Sequence, residues 1–127
     1  MQFAYTIIYV ENVPATLDFY RRAFGIETGF LHESNDYGEL ITGTTKLAFA
    51  QHETAQGNLK HAYTPLTQSL AGIEIGLTTS DVPAAYQKAI NAGASAITPP
   101  ATKPWGQTVA YVRAPEGTLI EICTPIG

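Results

Sequence analysis

The segments Asn12–Tyr20, "NVPATLDFY", and Asp81–Ala89, "DVPAAYQKA", decide the fold. They align without a gap, residue 12 with residue 81. In each segment a capping residue, Asn12 or Asp81, comes before Val-Pro. This combination starts a helix, because the cap accepts a backbone N–H group and proline is tolerated in the first turn. The internal repeat therefore predicts two similar modules, each containing one helix.

Each predicted helix lies between runs of strand character. An apolar, β-branched run precedes it, and a glycine, Gly25 or Gly93, ends it. Three short strand-like runs follow each helix: 27–32, 37–42 and 46–51 in the first module, and 96–98, 107–113 and 118–124 in the second. The order β-α-β-β-β, twice, predicts an α+β fold with a curved mixed sheet backed by helices.

The 127 residues are expected to form one domain. We place module 1 at about 1–53, a linker at about 54–70 and module 2 at about 71–127. The stretch 52–71, "HETAQGNLKHAYTPLTQSLA", has little periodicity. Long connections of this kind are usually linkers or covers of a functional site. His61 and Tyr63 are its candidates to reach a pocket.

The composition narrows the function classes. Charged residues make up 14% of the chain, the net charge is −4, and there is no basic run, which argues against nucleic acid or an anionic membrane as partner. Cys123 is the only cysteine, which excludes an internal disulfide and a Cys-rich zinc site. The sequence contains no apolar segment of membrane-spanning length, so we expect a cytoplasmic protein.

Three segments carry a family resemblance: "YVENVPATLDFYRRAFGIE", "SDVPAAYQKAINAGA" and "PWGQTVAYVRAPEGTLIEI". Together they make nearly the whole chain resemble the vicinal oxygen chelate superfamily, which includes glyoxalase I, extradiol dioxygenases, and the bleomycin- and fosfomycin-resistance proteins. We place it in the bleomycin-resistance-like branch, and that resemblance implies a homodimer. The turn Ala114–Gly117 lacks the aspartate that is usual in the family.

The resemblance also implies where a metal would bind. Metal-dependent members are expected to take ligands from the first and last strands of both modules, which here correspond to Tyr5, Leu47, Glu74 and Glu121. Only the two glutamates are good ligands, and a divalent ion needs about three or four N/O side chains. We therefore predict no cofactor. The alternative is one divalent metal ion held by Glu74 and Glu121 in a lyase, isomerase or dioxygenase that resembles lactoylglutathione lyase.

The three histidines give no metal-ligand pattern. His32, His52 and His61 lie outside the expected ligand positions and lack H-x-H or H-x₃-H spacing. A shifted register in module 1 would bring Gln51 or His52 into the place of Leu47. The roles of the histidines are left open.

Glu121 lies between Ile120 and Ile122, and an ionised carboxylate in such a run needs a partner or water. If Glu74 and Glu121 line one cavity without a metal, they repel each other, and one binds a proton more readily than a free glutamate. Such a pair can act as a general acid/base or bind a cationic ligand. The alternative is that Glu74 is a solvated carboxylate and that Glu121 is satisfied by water or by a neighbouring Tyr or Thr.

Strand alternation predicts an aromatic and acidic ligand-binding face. Its members are Tyr5, Tyr9, Phe49, Glu74, Tyr111 and Glu121. Trp105, in a loop before a strand, is a further ligand-binding candidate: it either covers the edge of the core or stacks on a ligand. The leading hypothesis is metal-independent sequestration of a planar or cationic organic compound. The alternatives are the metal-dependent enzyme and a module that binds a protein partner.

Overall fold

The computed structural model describes residues 1–126 and divides into two compact units, Met1–Pro65 and Leu66–Gly127. Each unit contains a four-stranded mixed sheet and a helix that connects its first two strands. The predicted α+β class and the two βαβββ modules are therefore confirmed. Each module has a sheet of its own.

The elements of the first unit are β1 (Tyr5–Val10), α1 (Val13–Phe24), β2 (Thr28–Leu31), β3 (Tyr37–Leu40), β4 (Lys46–Gln51) and α2 (His52–Leu59). Those of the second are β5 (Glu74–Thr78), α3 (Val82–Ala92), β6 (Ser95–Thr102), β7 (Thr108–Arg113) and β8 (Leu119–Cys123). The strand orders are β1-β4-β3-β2 and β5-β8-β7-β6, with β1/β4 and β5/β8 parallel and the other pairs antiparallel. The repeat thus gives both sheets the same topology.

Both predicted helix starts are observed. The Asn12 side chain accepts a hydrogen bond from the backbone N–H of Ala15 at 3.0 Å, and Asp81 accepts one from Ala84 at 3.1 Å. Gly25 ends α1 with φ of 70°, in the left-handed region that favours glycine. These caps fix the point at which the chain leaves the first strand of each unit.

The core of the first unit lies between α1 and its sheet. The Phe49 ring is fully buried and its centroid lies 5.1 Å from that of Tyr20 on α1. The prediction that Phe49 lies on the ligand-binding face is therefore wrong. In the β1/β4 register Tyr5, Ile7 and Tyr9 pair with Lys46, Ala48 and Ala50, so Phe49 points to the opposite, helix-facing side.

In the second unit alternation sorts β7 and β8 in the same way. Ala110, Val112, Ile120 and Ile122 are buried and point to the side of α3, on which Val82 and Ala89 are buried. On the other side of the sheet the β5 residues Glu74, Gly76 and Thr78 are exposed, whereas Val109 and Cys123 are buried; we call this side the open face of the second unit. The residues of β5, β7 and β8 on it are Glu74, Gly76, Thr78, Val109, Tyr111, Arg113, Leu119, Glu121 and Cys123.

The predicted linker contains more structure than the sequence suggested. Its first part is the helix α2, which is held by the buried Ala55 and by a hydrogen bond from Thr54 Oγ1 to Asp36 at 3.0 Å. The helix has only a weak apolar stripe, which is why periodicity did not reveal it. Further on, the Leu66 carbonyl accepts a hydrogen bond from the Arg113 guanidinium at 2.5 Å.

Strand β6 is longer than the predicted 96–98 and continues through Pro99 and Pro100. It is the edge strand of its sheet, where proline is tolerated because the outward N–H has no partner strand.

Within residues 1–126, no helix has both the length and the apolar character needed to span a membrane.

Candidate functional site

The candidate site lies on the open face of the second unit and centres on Glu74 and Glu121. Glu74 pairs with Leu119 across the β5/β8 ladder, and Gly76 pairs with Glu121. The two glutamates are therefore diagonal neighbours on one face, close enough for their side chains to meet. Their carboxyl groups are joined by a hydrogen bond. The structure thus brings together the two acids that the sequence singled out.

The hydrogen bond gives the two acids different pKa values. The bond to Glu121 raises the pKa of Glu74 from its usual 4.5 to about 7, and burial and the negative charge of Glu121 act in the same direction. The same hydrogen bond lowers the pKa of Glu121. Between the usual 4.5 and about pH 7 the pair therefore holds one proton, on Glu74, next to an ionised Glu121, and near neutral pH Glu74 is about half ionised.

Two further side chains explain why Glu121 is the ionised member. The Tyr111 hydroxyl donates to Glu121 Oε2 at 3.2 Å, and the Cys123 thiol also forms a hydrogen bond with this carboxylate. Both donors stabilise the anion. Burial and the two carboxylates raise the pKa of Tyr111, and burial raises that of Cys123 to about 11, so both stay protonated donors at neutral pH.

Arg113 is the cationic residue of this open face. Its guanidinium donates to the carbonyl of Gly117 at 3.3 Å and to that of Leu66 at 2.5 Å. These bonds hold the β7–β8 turn to the start of the unit. The charge of Arg113 is thus directed to backbone carbonyls.

Tyr5 and Tyr9 lie in the first unit, on the sheet face opposite α1. Tyr5 is 53% exposed, and Tyr9 is half-buried against Tyr63, with ring centroids 5.0 Å apart. The Tyr63 hydroxyl lies 2.7 Å from His52 Nδ1. Tyr63 therefore reaches the predicted face of its unit, and a ligand contact by Tyr5 or Tyr9 stays a prediction.

The residue equivalent to Glu121 in the first unit is Ala48, not Leu47. The repeat matches Ile7 with Gly76; Ile7 pairs with Ala48, as Gly76 pairs with Glu121. The first unit therefore has a methyl group where the second has a carboxylate. Neither Gln51 nor His52 takes this place.

Trp105 lies in the loop between β6 and β7 and is 67% exposed. Its indole N–H donates to the Gln107 side chain at 2.8 Å, and the Gln107 amide donates to the Thr124 carbonyl at 2.7 Å. Gln107 precedes Tyr111 by four residues, which is about 13 Å along a strand. A ligand contact by Trp105 stays a prediction.

The other two histidines lie at exposed positions of the first unit. His32 Nδ1 lies 2.6 Å from Ser34 Oγ, which in turn donates to Asp36 at 2.5 Å. His61 Nδ1 contacts the Ala62 carbonyl at 2.7 Å. Both make local contacts within loops.

Sequence reasoning missed two polar residues on the corresponding face of the first unit. The Tyr37 hydroxyl donates to Glu39 Oε2 at 2.8 Å, and burial raises the pKa of Tyr37. The alternation Tyr37-Gly38-Glu39-Leu40 was the signal, because Leu40 is fully buried and its neighbours point away from the core. Gly76 and Cys123 were missed as neighbours of Glu121.

A divalent metal ion does not fit this donor set. Among residues 1–126 no group of three or more His, Cys, Asp or Glu side chains is arranged to hold an ion. Glu74 and Glu121 supply two carboxyl groups, and a metal would have to displace the proton between them. Cys123 would have to lose its thiol proton to become a further ligand.

Comparisons with known proteins agree with this topology. The model of the family described as the Glyoxalase/Bleomycin resistance protein/Dioxygenase superfamily matches residues 2–122. A glyoxalase-related enzyme from Fulvimarina pelagi superposes with a TM-score of 0.85 at 20% identity, over 98% of this chain and 88% of its own. A family enzyme from Burkholderia phytofirmans gives a TM-score of 0.75 at 25% identity, over 98% of both chains.

A curated relative comes from Mycobacterium bovis and is described as an uncharacterized protein. It is 28% identical over 122 residues, which are 92% of this chain and 79% of that protein. The family match spans both modules, including β8 with Glu121. The chain belongs to the glyoxalase/bleomycin resistance protein/dioxygenase superfamily.

Proposed function

We propose that the protein binds a small planar or cationic organic compound without a metal, and that Glu74 and Glu121 recognise the positive charge. The observation that supports this most strongly is the hydrogen-bonded carboxyl pair on an open sheet face. Glu121 is ionised and Glu74 is poised to ionise near neutral pH. A bound cation would favour the ionised form of both glutamates and would pair with the two carboxylates.

The residues around the pair suit an organic ligand. Tyr111 offers an aromatic ring whose face attracts cations, while its hydroxyl orients Glu121. Leu119 lies on the same face, is half-buried and supplies apolar surface, whereas Val109 on this face is buried. Apolar walls with a few placed polar groups are typical of sites for organic ligands.

Calorimetric titration with planar aromatic cations and their neutral isosteres tests the proposal. We expect the cations to bind and the isosteres to bind at least about tenfold more weakly, because only the cations pair with Glu121. Affinity should rise as the pH increases from about 6 to about 8, since Glu74 then loses its proton.

The Glu121→Gln variant should abolish the preference for cations. Glu53→Gln, which removes the same charge from an exposed position on α2, is the matched control. Equal binding of cations and isosteres by the wild type, or full binding by Glu121→Gln, would contradict the proposal.

A metal-dependent lyase, isomerase or dioxygenase is the second candidate, because Glu121 occupies the position that the resemblance assigns to a metal ligand. Elemental analysis of protein purified without chelator separates the two. Our proposal expects far less than one metal ion per chain. One ion per chain that is lost in Glu121→Gln, but not in Glu53→Gln, would favour the enzyme.

Three further expectations stay predictions: the bleomycin-resistance-like branch with a role in antibiotic resistance, a homodimer, and a cytoplasmic location. Sedimentation at several protein concentrations tests the homodimer. The cation titrations, extended to antibiotics that carry an ammonium group, test the role in antibiotic resistance.

A further inference from the structure

Gly76 leaves a gap beside the carboxyl pair. It lies in the middle of β5 as the Cα partner of Glu121, it is exposed, and a Cβ built on it meets no atom within 4 Å. Its φ is not in the left-handed region, so the backbone does not require glycine here. Alanine would fit here and would stabilise the strand.

The neighbours of Gly76 on the same face are polar. Glu74 and Thr78 lie one pleat away on either side along β5, and the Glu74 carboxyl reaches diagonally to Glu121. The gap is therefore flanked by both acids. Because β5 is the edge strand of the sheet in its unit, no further strand of that unit closes the gap from the side.

The first unit provides an internal comparison. The repeat places Ile7 at the position of Gly76; Ile7 is 43% exposed and pairs with Ala48. The same place in the fold thus carries a large side chain opposite a methyl group, and no side chain opposite a carboxylate. A glycine inside a strand often marks a place where a ligand or another backbone approaches closely.

We propose that Gly76 is a specificity-determining residue: its missing side chain lets the ammonium head of an organic amine reach Glu74 and Glu121. This rests on the proposed function, in which the pair binds an organic cation. A primary or secondary ammonium carries N–H donors for the carboxylates and is compact. A quaternary ammonium has no N–H to donate and is wider, so it should bind more weakly.

Two probes with the same planar group test this inference: 2-naphthylmethylammonium and its N,N,N-trimethyl analogue. Binding to wild type, Gly76→Ala and Gly76→Val is followed by calorimetry, and the titration of the glutamate carboxyls by carbon-13 NMR. Urea unfolding confirms that each variant is folded; valine favours strands, and the space around position 76 is open. Ile7→Val, at the equivalent place in the first unit, is the control.

We expect wild type to bind the primary ammonium at least about tenfold more tightly than the trimethyl analogue. Gly76→Val should weaken the primary ammonium by about tenfold or more, Gly76→Ala by less, and Ile7→Val not at all, while the carboxyl titration of the free protein stays unchanged. This pattern supports the role of Gly76.

Other outcomes overturn the inference in distinguishable ways. Undiminished binding by Gly76→Val, while Glu121→Gln still abolishes binding, removes the role of Gly76 and leaves the proposed function standing. An altered carboxyl titration in Gly76→Val means that glycine only makes room for the acid pair. Equal affinity for both probes removes the preference for N–H donors. If wild type binds neither probe, the cation site and the inference both fall.

Discussion

Glu74 on β5 and Glu121 on β8 lie diagonally across two parallel strands, and their carboxyl groups form a hydrogen bond to each other. Two ionised carboxylates in such contact would repel each other, so the hydrogen bond implies a proton between them. Tyr111 and Cys123 donate to Glu121 and leave the proton with Glu74.

The stability of the folded protein should fall as Glu74 ionises. The pKa of Glu74 is raised by folding, so its contribution is fully present below its usual 4.5 and is lost as the pH rises through about 7. Glu121, with a lowered pKa, contributes above 4.5 and loses its contribution as the pH falls through its folded value. We expect the melting temperature of wild type to decline between about pH 4.5 and pH 7 and to level off above the folded pKa of Glu74.

Glu74→Gln should remove this decline. Glutamine donates a hydrogen bond to Glu121 as the protonated acid does, but it does not titrate. Melting curves in matched buffers, read by circular dichroism, compare the two proteins. If wild type and Glu74→Gln lose stability equally with rising pH, the decline has another source and the hypothesis of a shared proton is wrong.

Tyr111→Phe should raise the pKa of Glu121 and weaken the binding of organic cations, by less than about tenfold, because the hydroxyl is one of three donors to this carboxylate. The loss in stability should not exceed about 1 kcal/mol, since the bond is partly exposed. Carbon-13 NMR and calorimetry measure these effects. Tyr37→Phe, which removes a hydroxyl from Glu39 in the first unit, should leave both unchanged.

Gly117→Ala should destabilise the protein strongly. Gly117 has φ of 102°, and a Cβ there would collide with the carbonyl group of Leu66. We expect a loss of about 3 kcal/mol or more in the free energy of unfolding. Gly43→Ala is the control, because its φ is 92° but its Cβ would meet open space; it should lose about 1–2 kcal/mol.

Urea unfolding measures both glycine variants. Equal losses would mean that backbone strain alone matters and that the collision with Leu66 is relieved. A larger loss in Gly117→Ala would support the tight packing of residue 66 against the β7–β8 turn.

Phe49→Ala should act as a core mutation, with a loss of about 3–5 kcal/mol in the free energy of unfolding, because the buried ring packs on Tyr20. Tyr5→Ala, at a half-exposed position of the same unit, should lose less than about 1 kcal/mol. Urea unfolding of both variants is the measurement. A small loss in Phe49→Ala, accompanied by weakened ligand binding, would restore Phe49 to the site.

The repeat and its caps were enough to predict both modules. Asn12 and Asp81 start helices where expected, and strand β4 has the predicted limits of Lys46 and Gln51. Glu74, Tyr111 and Glu121 were also placed correctly on one face, because alternation along β5, β7 and β8 is unbroken between them.

The error at Phe49 came from one extra residue in a turn. Glu121 follows Gly117 by four residues, and the prediction applied the same spacing to Gly43. The structural equivalent of Glu121 lies five residues after Gly43, at Ala48. A shift of one residue exchanges the two faces of a strand. Turn length is a local choice that a distant repeat does not reveal.

Two other features depended on contacts that sequence patterns do not encode. Helix α2 is held by the single buried residue Ala55 and by the Thr54–Asp36 bond rather than by a strong apolar stripe. The gap at Gly76 matters only because the ladder sets it opposite Glu121. The sequence identified the acids, and the register showed what surrounds them.

The shared proton is tested most simply by a carbon-13 NMR titration of the Glu74 and Glu121 carboxyl carbons in the protein without ligand. We expect Glu74 to titrate with a pKa of about 7, and its pKa to fall towards the usual 4.5 in Glu121→Gln. Two independent transitions near 4.5 in wild type, unchanged in the variant, would contradict it.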